Sequence, residues 1–339
     1  MAARGEKHAP PVGAPAVQHL VVDENHHGQR LDNFLLRELK GVPKSHVYRI
    51  VRSGEVRVNK GRTAVDYRLN AGDLVRVPPV RMDIKPANPS TGAESGGKTT
   101  RKAHQSLSVA YEDEALLAID KPAGLAVHGG SGIALGMIEM LRDLRPDARF
   151  LELVHRLDRD TSGLVLVAKK RSALTGLHAL LRGEREARMD KHYLALVKGD
   201  WPYERRHIRI RLAKHVMASG ERRVTADEED GQESHTIVTR KERLPGATLV
   251  DCEIRTGRTH QIRVHLASEG YPILGDDKYG DFALNKFVAA NRNGGLKRMF
   301  LHAASLAFPH PLTGEVLRLA VPVPRDLARY LDVLRGQAA

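Results

Sequence analysis

Two carboxylates stand two residues apart in the run Val154-His-Arg-Leu-Asp158-Arg-Asp160-Thr-Ser-Gly163. A carboxylate is a competent nucleophile at an electron-poor carbon and a competent base toward a sugar proton. Residues i and i+2 of an extended segment also share one face, so Asp158 and Asp160 could serve as an acid/base pair for glycoside hydrolysis. The plain alternative is a charged loop in which Asp158 pairs with Arg156 or Arg159. From these residues alone, all three readings stay open.

The elements around the run give it a place. Phe150–Val154 and Leu164–Ala168 are apolar and strand-like. They predict a buried floor with the charged insert at the rim of a sheet, where sites are commonly built. Other separated runs carry candidate groups. Met189–Gly199 reads as a strand holding Tyr193, by itself most simply a half-buried strand aromatic. Leu249–Ala267 reads as a strand, a turn at Thr256-Gly257 and a helix with Ile262 and Leu266 on one face and Arg263 on the other. His260 and His265 are five apart, which a helix does not align as it aligns the i, i+4 pair of a zinc motif, so no metal site is expected. Gly130, Gly132 and Gly136 precede a helical run, Met137–Leu144, and could form a nucleotide-binding loop with Asp158 as the ribose acid. The dinucleotide fingerprint needs its first glycine at a strand end, and Pro122 and further residues intervene here, so an ordinary loop is favoured. Residues 203–233 are charged, hairpin-like and weakly periodic and read as a solvated surface loop.

The chain has 339 residues, 54 Lys and Arg, 41 Asp and Glu and a formal charge of +13. That length suggests about two domains, and the charge favours a polyanionic partner such as nucleic acid. The lone Cys252 excludes an intrachain disulfide and a Cys-cluster zinc site. With 4% aromatics, broad base-stacking platforms are not expected. No run is long and apolar enough to span a bilayer and no apolar signal core opens the chain, which points to a soluble cytoplasmic protein.

Residues 1–24 read as a disordered leader and 81–105, rich in Pro, Gly, Ser and Thr, as a flexible linker. Between Gln29 and Pro79 lie eleven Lys or Arg and five Asp or Glu, so +6 of the net charge falls in that short segment. Leu31, Phe34, Leu35 and Leu39 predict one helix and Val47, Ile50 and Val51 a second. Val56–Val58 and Leu74–Val77 predict short strands, with Asn70-Ala-Gly-Asp73 as a turn. The order Arg30-Leu-Asp-Asn-Phe, Lys44-Ser-His-Val-Tyr-Arg-Ile-Val, Gly54-Glu-Val-Arg-Val-Asn resembles the S4 RNA-binding domain. That resemblance implies Lys44, Arg49, Arg52 and Arg57 as contacts to structured RNA, mainly to phosphates.

Taken together, Arg156-Leu-Asp-Arg-Asp-Thr-Ser-Gly, Ala168-Lys-Lys-Arg-Ser-Ala-Leu, the Tyr193 strand and Gly257-Arg-Thr-His-Gln-Ile-Arg263 resemble the RluA family of RNA pseudouridine synthases, most similar to its RluC type. The match runs from about residue 25 to residue 330. It implies an α+β fold: an S4 domain at 25–80, then a catalytic domain at 106–335 with a central mixed, largely antiparallel sheet flanked by helices. It implies conversion of uridine to pseudouridine at more than one site of 23S ribosomal RNA near the peptidyl-transferase region. No cofactor, metal, membrane or obligate protein partner is implied, and a monomer is expected. Asp158 matches the catalytic aspartate. Arg263 matches its ion-pair partner, needed to offset desolvation of the carboxylate. Tyr193 matches the tyrosine that packs on uracil and helps remove the C5 proton, which reverses its plain reading. Ile262 becomes a pocket wall, Arg258 a phosphate contact or structural residue, and Asp160 a supporting carboxylate. The target base must leave its stack, and Arg156 is suited to fill the space. A non-catalytic S4-domain RNA-binding or ribosome-assembly protein is the competing reading.

Overall fold

The computed structural model describes residues 16–23, 26–39, 41–80, 107–129, 135–184, 186–216, 222–290 and 294–337. Most of the expected leader, the expected linker, and Gly130 and Gly132 of the glycine-spaced loop lie outside the described residues. The chain divides into two compact units, Met1–Ala103 and His104–Ala339.

In the first unit the order is β1 (Gln18–Val21), α1 (Leu31–Glu38), α2 (Lys44–Arg52), β2 (Arg57–Val58) and β3 (Leu74–Val77). The antiparallel sheet is ordered β1-β3-β2. Leu31, Phe34 and Leu35 of α1 and Val47, Ile50 and Val51 of α2 fall on facing stripes and are all buried. Each such side chain contributes about 1.5–3 kcal/mol by leaving water. Asp32, 4% exposed, joins the helices by accepting from the Tyr48 hydroxyl at 2.8 Å and from the Arg30 guanidinium. The Arg30 hydrogen bonds hold its carboxyl below the usual carboxylate range.

The second unit runs β4 (Ser108–Glu112), β5 (Leu116–Lys121), α3 (Met137–Leu144), β6 (Glu152–Leu153), β7 (Ser162–Ala168), α4 (Arg171–Arg182), β8 (Asp190–Lys198), β9 (Arg205–Arg209), β10 (Leu212–Val216), β11 (Arg222–Ala226), β12 (His235–Leu244), β13 (Ala247–Ile254), α5 (Gln261–Ser268), α6 (Phe282–Ala290), β14 (Leu301–Pro309), β15 (Val316–Ala320) and α7 (Arg325–Leu334). One mixed sheet is ordered β4-β5-β7-β14-β8-β13-β12-β9, with β15 on β14 and β6 on β7. Only the β7–β14 pairing is parallel.

Strand β7 is apolar without alternation because both its faces are covered. Val165 and Val167 enter one core with Leu117 and Ile119 of β5, while Leu164, Leu166 and Ala168 enter a second core with Leu116 and Ala118. The parallel pairing explains the glycine that ends the acidic run. Gly163 has φ +110°, and a Cβ there would meet the Ala303 carbonyl oxygen at 2.2 Å. No other residue fits so close a backbone approach.

One part of the sequence reading is corrected. The stretch 203–233 does carry a hairpin, β10 with β11, but it is not all a solvated surface loop, because β9 pairs with β12 at the end of the main sheet. Its apolar residues are sparse because edge strands and hairpins bury little, so periodicity misses them. Arg263, expected on the face of the helix opposite Ile262, is buried there as well. Gln261 through Leu266 are all buried, so α5 is enclosed around its circumference.

Candidate active site

Asp158 lies in the loop between β6 and β7, and that loop is held from below. The buried Lys121 ammonium donates to the carbonyls of Pro122, Leu125 and Arg159 at 2.9, 2.8 and 3.0 Å. Gly124 N–H donates to the same Arg159 carbonyl at 2.9 Å. Burial pushes the Lys121 ammonium down to about 8, against the opposing charges of Asp160 and Asp158. The turn that ends β5 thus fixes the backbone next to Asp158.

The guanidinium of Arg263, 5% exposed on α5, donates through Nη1 to Asp158 Oδ2 at 3.3 Å. Its stronger contact is elsewhere: Nε and Nη2 donate to the two oxygens of Asp276, both at 2.8 Å. Asp276 is 1% exposed and also accepts the Lys278 and Tyr279 backbone N–H groups. Burial would lower the Arg263 pKa, but Asp276 and then Asp158 outweigh it and leave it raised. Burial likewise works against the Asp276 carboxylate, and Arg263 and the two N–H donors overcome it, so its pKa is lowered. The result is a clamp with one closed carboxylate and one reachable one, since the Asp158 side chain is 20% exposed.

His260 precedes α5 in the left-handed region, at φ 53°. Non-glycine residues seldom sit there, though histidine tolerates it better than most. Its Nε2 is 3.8 Å from Asp158 Oδ2, and its Nδ1 shares a 2.9 Å hydrogen bond with the Tyr279 hydroxyl. That hydroxyl also accepts from Val224 N–H on β11, so Tyr279 ties the imidazole to the β10–β11 hairpin. Burial keeps the His260 pKa down despite Asp158. The Tyr279 ring also stacks under the Arg263 guanidinium, 5.1 Å from its centroid. Sequence reasoning weighed His260 only as a metal ligand and missed Asp276 and Tyr279. A signal was present in Gly275-Asp-Asp-Lys-Tyr-Gly280, a dense polar turn bracketed by glycines.

A cavity of about 90 Å³ opens at Asp158. Arg156, Tyr193, Ile262, Arg258 and Arg263 line it, so the structure brings the sequence-predicted residues of this unit to one place. Tyr193, 7% exposed on β8, has its phenol pushed up by burial and by Asp158, which keeps it protonated. Arg156 is exposed and does not pair with Asp158. Arg258 is exposed and donates to the Glu233 carbonyl at 3.1 Å. Asp160 is bound by Arg159 through both oxygens, at 3.0 and 3.1 Å. This leaves the two loop carboxylates unlike, and the charged-loop pairings expected for Asp158 do not form.

In the first unit, Lys44, Arg49 and Arg52 line one open face of α2, with Lys44 and Arg52 at 5.5 and 5.8 Å from the Tyr48 ring centroid. Arg57 is not part of that face; it is half-buried on β2, opposite Arg76.

Comparison with known proteins agrees with this geometry. Residues 115–268 match the RNA pseudouridylate synthase family and residues 29–75 the S4 domain. The chain is 51% identical over 322 residues to the ribosomal large subunit pseudouridine synthase C of Pasteurella multocida, covering 95% of each chain. It is 50% identical to the protein of that name from Escherichia coli strain K12, over 95% of this chain and 98% of that one. Among solved structures, human RNA pseudouridylate synthase domain containing 4 superposes with a TM-score of 0.54 at 26% identity, over 67% of this chain and 93% of that one. With an S4 domain ahead of the synthase region and relatives about half identical over nearly its whole length, this chain belongs to the RNA pseudouridine synthases.

Proposed function

We propose that this enzyme isomerises specific uridines of large-subunit (23S) ribosomal RNA, more than one of them near the peptidyl-transferase region, with Asp158 as the catalytic residue. The observation that carries the reading is the unequal clamp: one arginine held fast by the buried Asp276 and extended to an Asp158 that opens on a small cavity. The ribosomal substrate is taken from the relatives' names, at 50–51% identity over nearly the full chain.

In this reading a uridine leaves its stack and enters the cavity, and Arg156 fills the vacated space. Tyr193 and Ile262 flank the base. Asp158 attacks C1′ of the ribose, attacks C6 of the uracil, or removes a ribose proton; each route uses the same carboxylate and consumes no cofactor. Arg263 supplies the compensating charge. A protonated phenol suits Tyr193 to packing and hydrogen bonding better than to service as a phenolate base. Lys44, Arg49, Arg52, Arg57 and Arg258 hold RNA phosphates. We take the units to be an S4 domain at 25–80 and a catalytic domain at 106–335, acting as a cytoplasmic monomer. No helix among the described residues is long and apolar enough to cross a membrane.

The test is tritium release from [5-³H]uridine-labelled 23S transcript by the wild type and by Asp158→Asn, with binding measured in parallel. The reading expects release from the wild type alone and retained binding by the variant. Equal release from both would remove Asp158 from the chemistry, and no release from the wild type would remove the substrate.

A further inference from the structure

Beside the Asp158 cavity lies a larger groove of about 1000 Å³, and Gly257 and Arg258 belong to the walls of both. Its floor holds Lys191, two residues before Tyr193 on β8 and therefore on the same side of that strand. Lys191 is 7% exposed, and no hydrogen-bond acceptor or carboxylate among the described residues pairs with it. Burial alone pushes its ammonium down to about 8, with no acid offsetting the effect. The nearby His155 is held down to about 4 by burial and by Lys191 itself, so it stays neutral at pH 7 and adds no second positive charge. A second group in the groove is also unsatisfied: Arg211 Nε is buried with no partner. Arg188 and Arg209 stand exposed on the rim. The acids on the wall are Glu184, which pairs with Arg182, together with Glu228 and Glu233.

Lys191 Nζ is not sealed from solvent, so this largely buried ammonium opens to the groove with no acid of its own, which makes it a ready contact for an anion from outside. We infer that this groove is a phosphate track, in which Lys191 at the floor and Arg209, Arg211 and Arg258 around it grip the backbone of nucleotides adjoining the flipped uridine. The inference rests on the RNA-modifying function and adds a site to it. The spacing gives the groove its purpose: β8 presents a packing residue for the base at 193 and a cation for a neighbouring phosphate at 191. Fixing the flanking backbone at a set distance from Asp158 resists re-stacking of the flipped base. Direct readout of sequence is not required of it, because phosphate contacts position without specifying.

The experiment uses the full chain and the labelled 23S transcript, with binding followed from 50 to 300 mM salt and tritium release followed at saturating RNA. Lys191→Met removes the charge and keeps the stem. It is expected to weaken binding about tenfold, as loss of one charge-assisted contact does, and to flatten the plot of log K against log salt by about 0.7–0.9. KM should rise and kcat at saturation stay within about twofold. Lys191→Arg should restore the slope. The melting temperature of Lys191→Met should be unchanged or raised, because an uncompensated buried charge is lost; a merely structural lysine would instead lower it and leave the salt slope alone. If Lys191→Met does not fold, the exposed Arg209→Gln carries the test, with the same flattening expected for loss of one contact. Wild-type slope and KM in the variant that folds overturn the inference. Failure of the substrate reading looks different: the wild type then releases no tritium from 23S RNA, while the salt slopes of wild type and variant still differ.

Discussion

Arg263 meets the buried Asp276, the reachable Asp158 and, at 3.5 Å, the exposed Asp277, and replacing the first two in turn should separate stability from chemistry. Asp276 is 1% exposed, holds the guanidinium through two 2.8 Å hydrogen bonds and caps the Lys278 and Tyr279 N–H groups. Asp276→Asn keeps the shape and loses the charge, leaving a cation at 5% exposure with only the longer contacts to Asp158 at 3.3 Å and to the exposed Asp277 at 3.5 Å. Breaking a buried pair from one side costs about 3–5 kcal/mol. Because the amide keeps some hydrogen bonds, the lower figure of about 3 kcal/mol applies. For a unit of this size each kcal/mol shifts Tm by about 2–4 °C, so a fall of roughly 6–12 °C is expected. Asp158 makes a single 3.3 Å contact at 20% exposure, and Arg263 keeps Asp276 when it is replaced. Asp158→Asn should therefore move stability by less than about 1 kcal/mol while lowering the single-turnover rate at least ~10³-fold. Calorimetry and tritium release on the same preparations decide it. Refutation would be the reverse order, with Asp158→Asn melting as low as Asp276→Asn or Asp276→Asn indistinguishable from wild type in Tm.

His265 and His302 are fully buried, and burial holds both near 4. The unfolded chain protonates them near 6.5 and the folded chain does not, so their stability is complete above that value and is lost as pH falls toward 4. About 2 kcal/mol per histidine should be gone by pH 5, and urea titrations at pH 7 and pH 5 check this; Glu112, drawn to about 2 by Arg145 and Lys169, acts in a separate window below pH 4.5. Gly163→Ala should cost several kcal/mol or prevent folding, read as lost soluble yield, since the new methyl meets the Ala303 carbonyl at 2.2 Å in a left-handed backbone; wild-type Tm would contradict the close β7–β14 approach. Deleting residues 1–80 should leave the second unit folded and lower both RNA affinity and its salt slope, and an unchanged slope would remove the first unit from RNA binding.

How far the sequence disclosed this structure depended on what each segment buries. Segments that bury much were legible: the helical period of Met137–Leu144 emerges as α3 over the same residues, and the unbroken apolar run Leu164–Ala168 lies inside β7. Where a segment buries little, as in β9 and the β10–β11 hairpin, the pattern carried no period to find. Of the site, Asp158, Tyr193 and Arg263 could be named because they lie in motifs with a family resemblance. Their partners could not. Asp276 is thirteen residues from Arg263 across a turn, and Tyr279 is fixed by a hairpin fifty-five residues away in sequence. No local pattern encodes such a meeting; it follows from α5 being enclosed on all sides.

That enclosure explains why two aspartates two residues apart in one loop differ so much. Asp160 is claimed by its own neighbour Arg159, an exposed side chain that needs no fold to reach it. Asp158 is met by a cation already committed elsewhere. Because Asp276 takes both of the shorter hydrogen bonds, Arg263 cannot turn to grip Asp158 in the two-point fashion that would tie up both its oxygens. The carboxylate is thus compensated through one oxygen and keeps the other for reaction. A lysine at 263 would lack the fork that serves both acids at once, so Arg263→Lys should lower activity even with charge conserved. The expected signature is a reduced single-turnover rate with RNA binding and its salt slope intact. Full activity in Arg263→Lys would mean that charge alone, and not the shared fork, sustains Asp158.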